Sequence, residues 1–161
     1  MRAYFPFTFI AENIKYCCIW YSDDEDGFVT EATKLKSFAN MNELISYVVT
    51  HNLKIAEETS VFFVDGFSHW LKEQTEFDCG EFLMFWNVIT DLARSSEIIF
   101  YGDKNTTIIN AIYDKLYIGS QLPTKDEGNS LNQPLWTRDE RAELTKLIED
   151  GLSILETCLL K

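Results

Sequence analysis

The chain of 161 residues is poor in the features that mark several common classes of protein. Seven glycines and three prolines argue against a repetitive chain, a collagen-like segment and a long flexible linker. No window approaches the roughly 20 consecutive apolar residues of a membrane-spanning helix. The apolar start of the chain is too short for a secretory signal, contains a proline and is soon followed by Glu12, so it predicts a strand. We therefore expect a cytoplasmic protein.

Side chains at catalytic or metal-binding spacing are equally scarce. The four cysteines include no Cys-x-x-Cys pair and predict buried thiols in a reducing compartment. The sequence contains no glycine-rich phosphate loop, no Gly-x-Ser-x-Gly elbow and no cysteine-protease signature. Its two histidines have no second His or Cys at metal-ligand spacing. We therefore expect neither a metal nor a cofactor.

Acidic residues are what the chain has in excess. It carries 26 Asp and Glu against 14 Lys and Arg, a formal net charge of -12. Such a charge repels nucleic acid and anionic lipid and attracts basic protein surfaces. Solubility alone is the alternative explanation for it. The composition favours a protein that binds another protein, with no nucleic-acid or membrane partner.

Apolar runs predict a sheet built mainly from the first third of the chain. Hydrophobic residues make up 46% of the sequence, including 12 Phe, 7 Tyr and 4 Trp, so a single domain over residues 1–161 can bury a large core. β-rich runs separated by turn residues such as those of Asp23–Gly27 predict strands. The predicted strands are Tyr4–Ile10, Ile14–Tyr21, Phe28–Phe38, a buried central strand Val61–Val64, and Ile98–Tyr101.

Capping residues and helical periodicity predict the remaining elements. Asn40, Asp78 and Thr137 each precede a Glu by three residues, which is the capping-box spacing. The predicted helices are Asn40–His51, one from Asp78 to about Ser95, Asn105–Tyr117, and a final helix from Thr137, with a loop over Gly119–Leu135. This pattern predicts an α+β fold, in which a mainly antiparallel or mixed sheet packs with about four helices.

Two acidic segments are the candidate partner-binding surfaces. One is the run of four acids in a predicted turn, and the other is a looser acidic stretch around a tryptophan that we expect to be exposed. A solvated turn or a helix N-terminus accounts for any one of these acids alone. Together they predict a negative face that speeds association with a basic partner, while an aromatic anchor contributes affinity. The candidate contacts are Asp23, Asp24, Glu25, Asp26, Asp65, Trp70, Glu73 and Glu76.

An enzymatic alternative uses some of the same residues. On a helix, Asp65, His69 and Glu73 would stack on one side at intervals of four, which gives a carboxylate and histidine site for a small cytosolic enzyme. Cys79 with Asp78 and His69 supplies the residue types of a nucleophilic triad, although sequence proximity does not establish its geometry. A third alternative is an adaptor inside a larger assembly, which uses the same binding chemistry with a different partner.

Two segments of the chain carry a resemblance to a known group of proteins. FLMFWNVITDLA (Phe82–Ala93) and IYDKLYIGSQLP (Ile112–Pro123) resemble stretches of small bacterial proteins encoded beside polymorphic toxins. They are similar to the immunity proteins of contact-dependent growth inhibition systems. The likeness covers mainly the middle of the chain, from about Phe82 to Pro123.

The resemblance implies a cytosolic inhibitor that binds, one to one, the C-terminal toxin domain delivered by a neighbouring cell. Such toxins are often nucleases, particularly tRNA nucleases, and carry basic substrate-binding surfaces. An acidic inhibitor would cover that surface and exclude RNA by charge and bulk. The group provides no residue-level functional motif, so the contacts predicted above depend on charge alone.

Overall fold

Two long strands joined by a two-residue turn form the centre of the sheet. The computed structural model describes residues 1–121 and 134–159. β1 (Ala3–Ala11) pairs antiparallel with β2 (Ile14–Ser22) along its whole length. The connecting residues Glu12 and Asn13 have positive φ angles of 51° and 64°, as the tightest hairpin turns require. Both predicted strands are confirmed.

The segment after β2 does not form one continuous strand, so the prediction of one strand over Phe28–Phe38 is wrong. The acidic turn does lead into a strand beside β2, but this strand, β3 (Gly27–Phe28), has two residues. Ala32 and Thr33 then adopt positive φ angles of 50° and 65° and reverse the chain. They connect the strands of a separate two-stranded sheet, β4 (Thr30–Glu31) and β5 (Lys34–Leu35).

β6 (Ser60–Phe63) lies at the edge of the four-stranded sheet, whose order is β3-β2-β1-β6. It pairs in parallel with β1, so the sheet is mixed. The prediction that this segment is a buried central strand is wrong, because only alternate side chains are buried. Phe62 and Val64 are 4% and 7% exposed, whereas Val61 and Phe63 are 48% and 66% exposed. One face of β6 is therefore open.

The described chain contains five α-helices, compared with the four or so predicted. The first helix covers one face, where Leu44 and Val48 contact Cys17 and Ile19 of β2, and the others build the larger core on the opposite face. The α+β fold class is confirmed. The helices are α1 (Met41–Thr50), α2 (Asp65–Glu73), α3 (Cys79–Ser95), α4 (Thr107–Gln121) and α5 (Arg138–Leu159).

The predicted caps hold the starts of the helices. Asn40 accepts a hydrogen bond from the backbone N–H of Glu43 at 3.0 Å. At the start of α5, Thr137 accepts from the N–H of Glu140 at 3.1 Å, and Glu140 accepts from the N–H of Thr137 at 2.8 Å. These reciprocal bonds are those of a capping box, and they confirm where the helices begin.

Two predicted segments close to α4 differ from the structure. The strand predicted over Ile98–Tyr101 is wrong, because these residues pair with no strand of the described chain, and Tyr101–Asp103 forms a 3-10 turn. The prediction that a loop begins at Gly119 is wrong, since α4 continues to Gln121. Residues 122–133 of that loop lie outside the described residues.

Gly151 lies where α5 crosses α3 and should not tolerate a side chain. A Cβ at this position would lie 2.6 Å from two ring carbons of the fully buried Phe85. Gly151→Ala should therefore destabilise the protein by about 1–3 kcal/mol, although alanine favours a helix by about 1 kcal/mol. Gly66→Ala in α2 meets no atom within 4 Å and should be neutral or slightly stabilising. Urea unfolding measures both, and equal stability of the two variants would contradict this packing.

Candidate functional site

A groove of about 700 Å³ lies beside the open edge of β6. Its walls come from β6, α2, the connecting segment 74–78 and the first turns of α3. We call it the β6 groove. Of the predicted contacts, Trp70, Glu73 and Glu76 line it, and so does His69 of the enzymatic alternative.

Buried aromatic rings form the floor of the β6 groove. Phe77 stacks on Phe82 with ring centroids 4.0 Å apart, and Phe67 packs at 5.2 Å from Phe82. Trp70 meets the rings of both Phe77 and Phe82 edge-on, and its indole N–H donates to the carbonyl of Thr75 at 3.0 Å. Rings held in this way form a rigid floor.

The prediction of Trp70 as an exposed anchor is wrong. Its side chain is 4% exposed, because the amphipathic helix α2 turns Phe67 and Trp70 to the core and its polar residues outward. Trp70 therefore contributes to the groove as part of its floor and does not project toward a partner.

Exposed apolar side chains in the β6 groove are the part that sequence reasoning missed. Phe63 is 66% exposed, Val61 48% and Met84 41%, and all three line the groove. A continuous apolar run such as 61–64 does not reveal which of its side chains lie on a covered face. Exposed apolar side chains that line one groove are typical of a surface that a partner covers.

Carboxylates form the rim of the β6 groove. Glu73 lies at the end of α2, Glu76 and Asp78 lie in the connection, and Glu81 lies in the first turn of α3. Asp78 also caps α3, accepting from the N–H of Glu81 at 3.0 Å. No lysine or arginine of the described residues lines the groove. The rim therefore presents negative charge above an apolar floor.

Asp65 has a structural role outside the β6 groove. Both of its carboxylate oxygens accept from the backbone N–H of Glu12 at 3.1 Å, which ties the β1–β2 turn to the start of α2. His69 and Glu73 are exposed in the groove, one helical turn apart. The structure thus brings two residues of the proposed enzymatic set to the groove and engages the third elsewhere.

The acidic run Asp23–Asp26 lies far from the β6 groove. It sits near the end of α3, where Arg94 donates to the carbonyl of Asp26 at 2.9 Å, whereas the groove is at the start of this helix of 17 residues. A helix of that length spans about 25 Å. The two acidic segments therefore do not form one continuous face.

Basic residues also partly neutralise the acidic run. Arg2 bonds Asp23 at 3.1 Å, and this hydrogen bond lowers the pKa of the Asp23 carboxyl. Arg94 lies 3.9 Å from Glu25. The run accordingly offers less uncompensated charge to a partner than its sequence indicates.

The environment of Cys79 does not favour a nucleophilic thiol. All four cysteines are buried thiols, as predicted. Burial raises the pKa of Cys79, and the charge of Asp78 raises it further. A nucleophilic cysteine needs a lowered pKa.

Within the described ranges, 1–121 and 134–159, no group of three or more His, Cys, Asp or Glu side chains is placed to hold a metal ion. None of the helices in these ranges is both long enough and apolar enough to cross a membrane.

Comparisons with known proteins give a likeness of fold. No family model matches the chain, and no curated protein matches it. The chain is similar to a solved structure described as the SatS C-terminal domain in complex with bromine, with a TM-score of 0.53 and 12% sequence identity. The likeness covers 97% of this chain and 92% of the other. At this identity the likeness shows a shared fold alone.

Proposed function

We propose that this protein is a non-enzymatic immunity protein that binds the basic C-terminal domain of a toxin, a nuclease acting on tRNA, and blocks its substrate-binding surface. The β6 groove is the observation that carries the proposal. It combines exposed apolar residues with a rim of four carboxylates, and none of the described lysines or arginines lines it. A surface of this kind complements a cationic protein.

Charge supports the choice of partner. A net charge of -12 repels RNA and favours a cationic protein over a nucleic acid. The apolar residues Val61, Phe63 and Met84 provide surface that gains free energy when a partner removes it from water. In this proposal the protein acts in the cytoplasm, binds one toxin domain and uses no cofactor.

Co-expression tests the proposal directly. The proposal predicts that this gene lies directly downstream of a gene for a large secreted toxin. The last domain of that toxin would be expressed with and without this protein. Survival of the cells and co-purification of a one-to-one complex are the expected results, and killing without co-purification would reject the proposal.

A variant separates this proposal from the enzymatic alternative. His69→Ala removes the imidazole that the alternative requires, and it should leave protection nearly intact, because truncating most single residues of an interface costs little binding free energy. If the His69→Ala variant loses both protection and a measurable enzymatic turnover of the wild type, the enzymatic alternative is favoured.

A further inference from the structure

Among the described strands, β6 pairs with β1 alone, so its backbone presents hydrogen-bonding groups at the open edge of the sheet. The N–H of Val64 donates to the carbonyl of Ile10 in β1 at 2.9 Å. In the parallel register, in which Thr8 faces Val61 and Ile10 faces Phe63, alternate residues of β6 bond to β1. The N–H and C=O groups of Val61 and Phe63 therefore point away from β1.

The same two residues have exposed side chains. The sheet order places β6 at one end, with β1 as its neighbour in the sheet. On the face opposite Phe62, the side chains of Val61 and Phe63 are 48% and 66% exposed. Exposed edge strands of this kind are sites at which another chain can pair.

We propose that the partner adds an extended segment to the open edge of β6, with basic side chains over the carboxylate rim of the β6 groove and apolar side chains beside Val61 and Phe63. This inference depends on the proposed function, since it specifies how the same groove engages a basic protein. Successive side chains of a strand point to opposite faces of a sheet. Those on the face of Phe62 would meet the rim of Glu73, Glu76, Asp78 and Glu81, and the others would pack on the exposed apolar pair.

Charge complementarity selects a basic segment as the occupant. A lysine- or arginine-bearing strand meets only carboxylates among the charged groups of the described groove rim. A second copy of this chain is a poor occupant, because two copies would each bring a net charge of -12 to the contact. β-Strand addition also supplies main-chain hydrogen bonds, which do not depend on the identity of the added side chains.

A peptide with a modified backbone tests the pairing without altering the protein. The probe is a heptapeptide in which lysine and valine alternate. Two further versions carry backbone N-methyl groups, one on all the lysines and one on all the valines. N-methylation removes hydrogen-bond donors and leaves charge unchanged. In an added strand only one of the two sets of N–H groups faces β6, so one version should bind about tenfold more weakly or worse and the other should bind nearly as the parent.

Amide exchange and an acidic peptide complete the test. The N–H groups of Val61 and Phe63 should exchange more slowly when the parent peptide is bound, and a peptide of alternating glutamate and valine should not bind. Equal affinity of the two N-methylated peptides, unchanged exchange at both amides, or a dimer of this chain in sedimentation without peptide would each overturn strand addition. Survival in the co-expression assay together with such a result would leave the inhibitor proposal standing and reject only this binding mode.

Discussion

Replacing three rim carboxylates by isosteric amides, Glu73→Gln, Glu76→Gln and Glu81→Gln, should slow association with the basic toxin domain by about tenfold or more at low salt. Charged clefts speed association by factors of about 10 to 1,000, and the effect falls as salt rises. Asp78 is kept because it caps α3. Stopped-flow measurement of the association rate checks this result, and in cells the variant should protect less well against the toxin.

A matched variant distinguishes the position of charge from its amount. Asp114→Asn, Glu149→Gln and Glu156→Gln remove the same number of negative charges from exposed positions of α4 and α5 outside the β6 groove. This control should associate nearly as the wild type does. The difference in association rate between the two triple variants should become smaller toward about 1 M salt, where the screening length falls to about 3 Å. Equal slowing by both sets would show that overall charge, and not the groove, directs the partner.

Lys115→Met should destabilise the fold by about 2–3 kcal/mol, because it leaves the buried carboxylate of Glu140 without its cation. The Lys115 ammonium lies 2.6 Å from Glu140, whose side chain is 7% exposed, and also donates to the carbonyl of Leu135 at 2.8 Å. Through these bonds α4 holds the capping box of α5. Urea unfolding measures the loss. Lys146→Met is the matched control, since Lys146 is 60% exposed in its pair with Glu143, and it should cost less than about 0.5 kcal/mol.

The loss of stability in the Lys115→Met variant should also depend on pH. Burial opposes ionisation of Glu140, but the hydrogen bonds from Lys115 and from the backbone of Thr137 outweigh it and hold its pKa below the ordinary 4.5. A carboxyl with a lowered folded pKa contributes stability above its unfolded pKa and loses it as pH falls through the folded value. The difference between wild type and variant should therefore be largest near neutral pH and shrink below about pH 4. If the loss of stability in the Lys115→Met variant does not change with pH, its cause is the lost packing of the lysine side chain and not the lost ion pair.

Local signals in the sequence predicted most of the helices. The spacing of Asn40 with Glu43 and of Thr137 with Glu140 is a property of one helical turn, and the structure forms both sets of bonds. The reversal at Ala32 and Thr33 could not be predicted in this way. Positive φ angles favour glycine or asparagine, and at these positions the tertiary structure overrides that preference.

The candidate site was only partly predictable for a related reason. Glu73 and Glu76 do line the β6 groove, because acids close together in the sequence stay close on one helix and its connection. The burial of Trp70 and the pairing of Asp65 with the N–H of Glu12 depend on contacts with distant parts of the chain. The edge position of β6 depends on the order of strands in the sheet, which an apolar run does not encode.

Amide hydrogen exchange of the whole protein, alone and bound to the toxin domain with which it co-purifies, tests most directly whether the partner sits on the β6 groove. We predict that binding slows amide exchange only in β6, at the end of α2 and in the first turn of α3. Slower exchange centred on the run Asp23–Asp26 or on the outer face of α1, with exchange in β6 unchanged, would place the partner elsewhere and contradict this account.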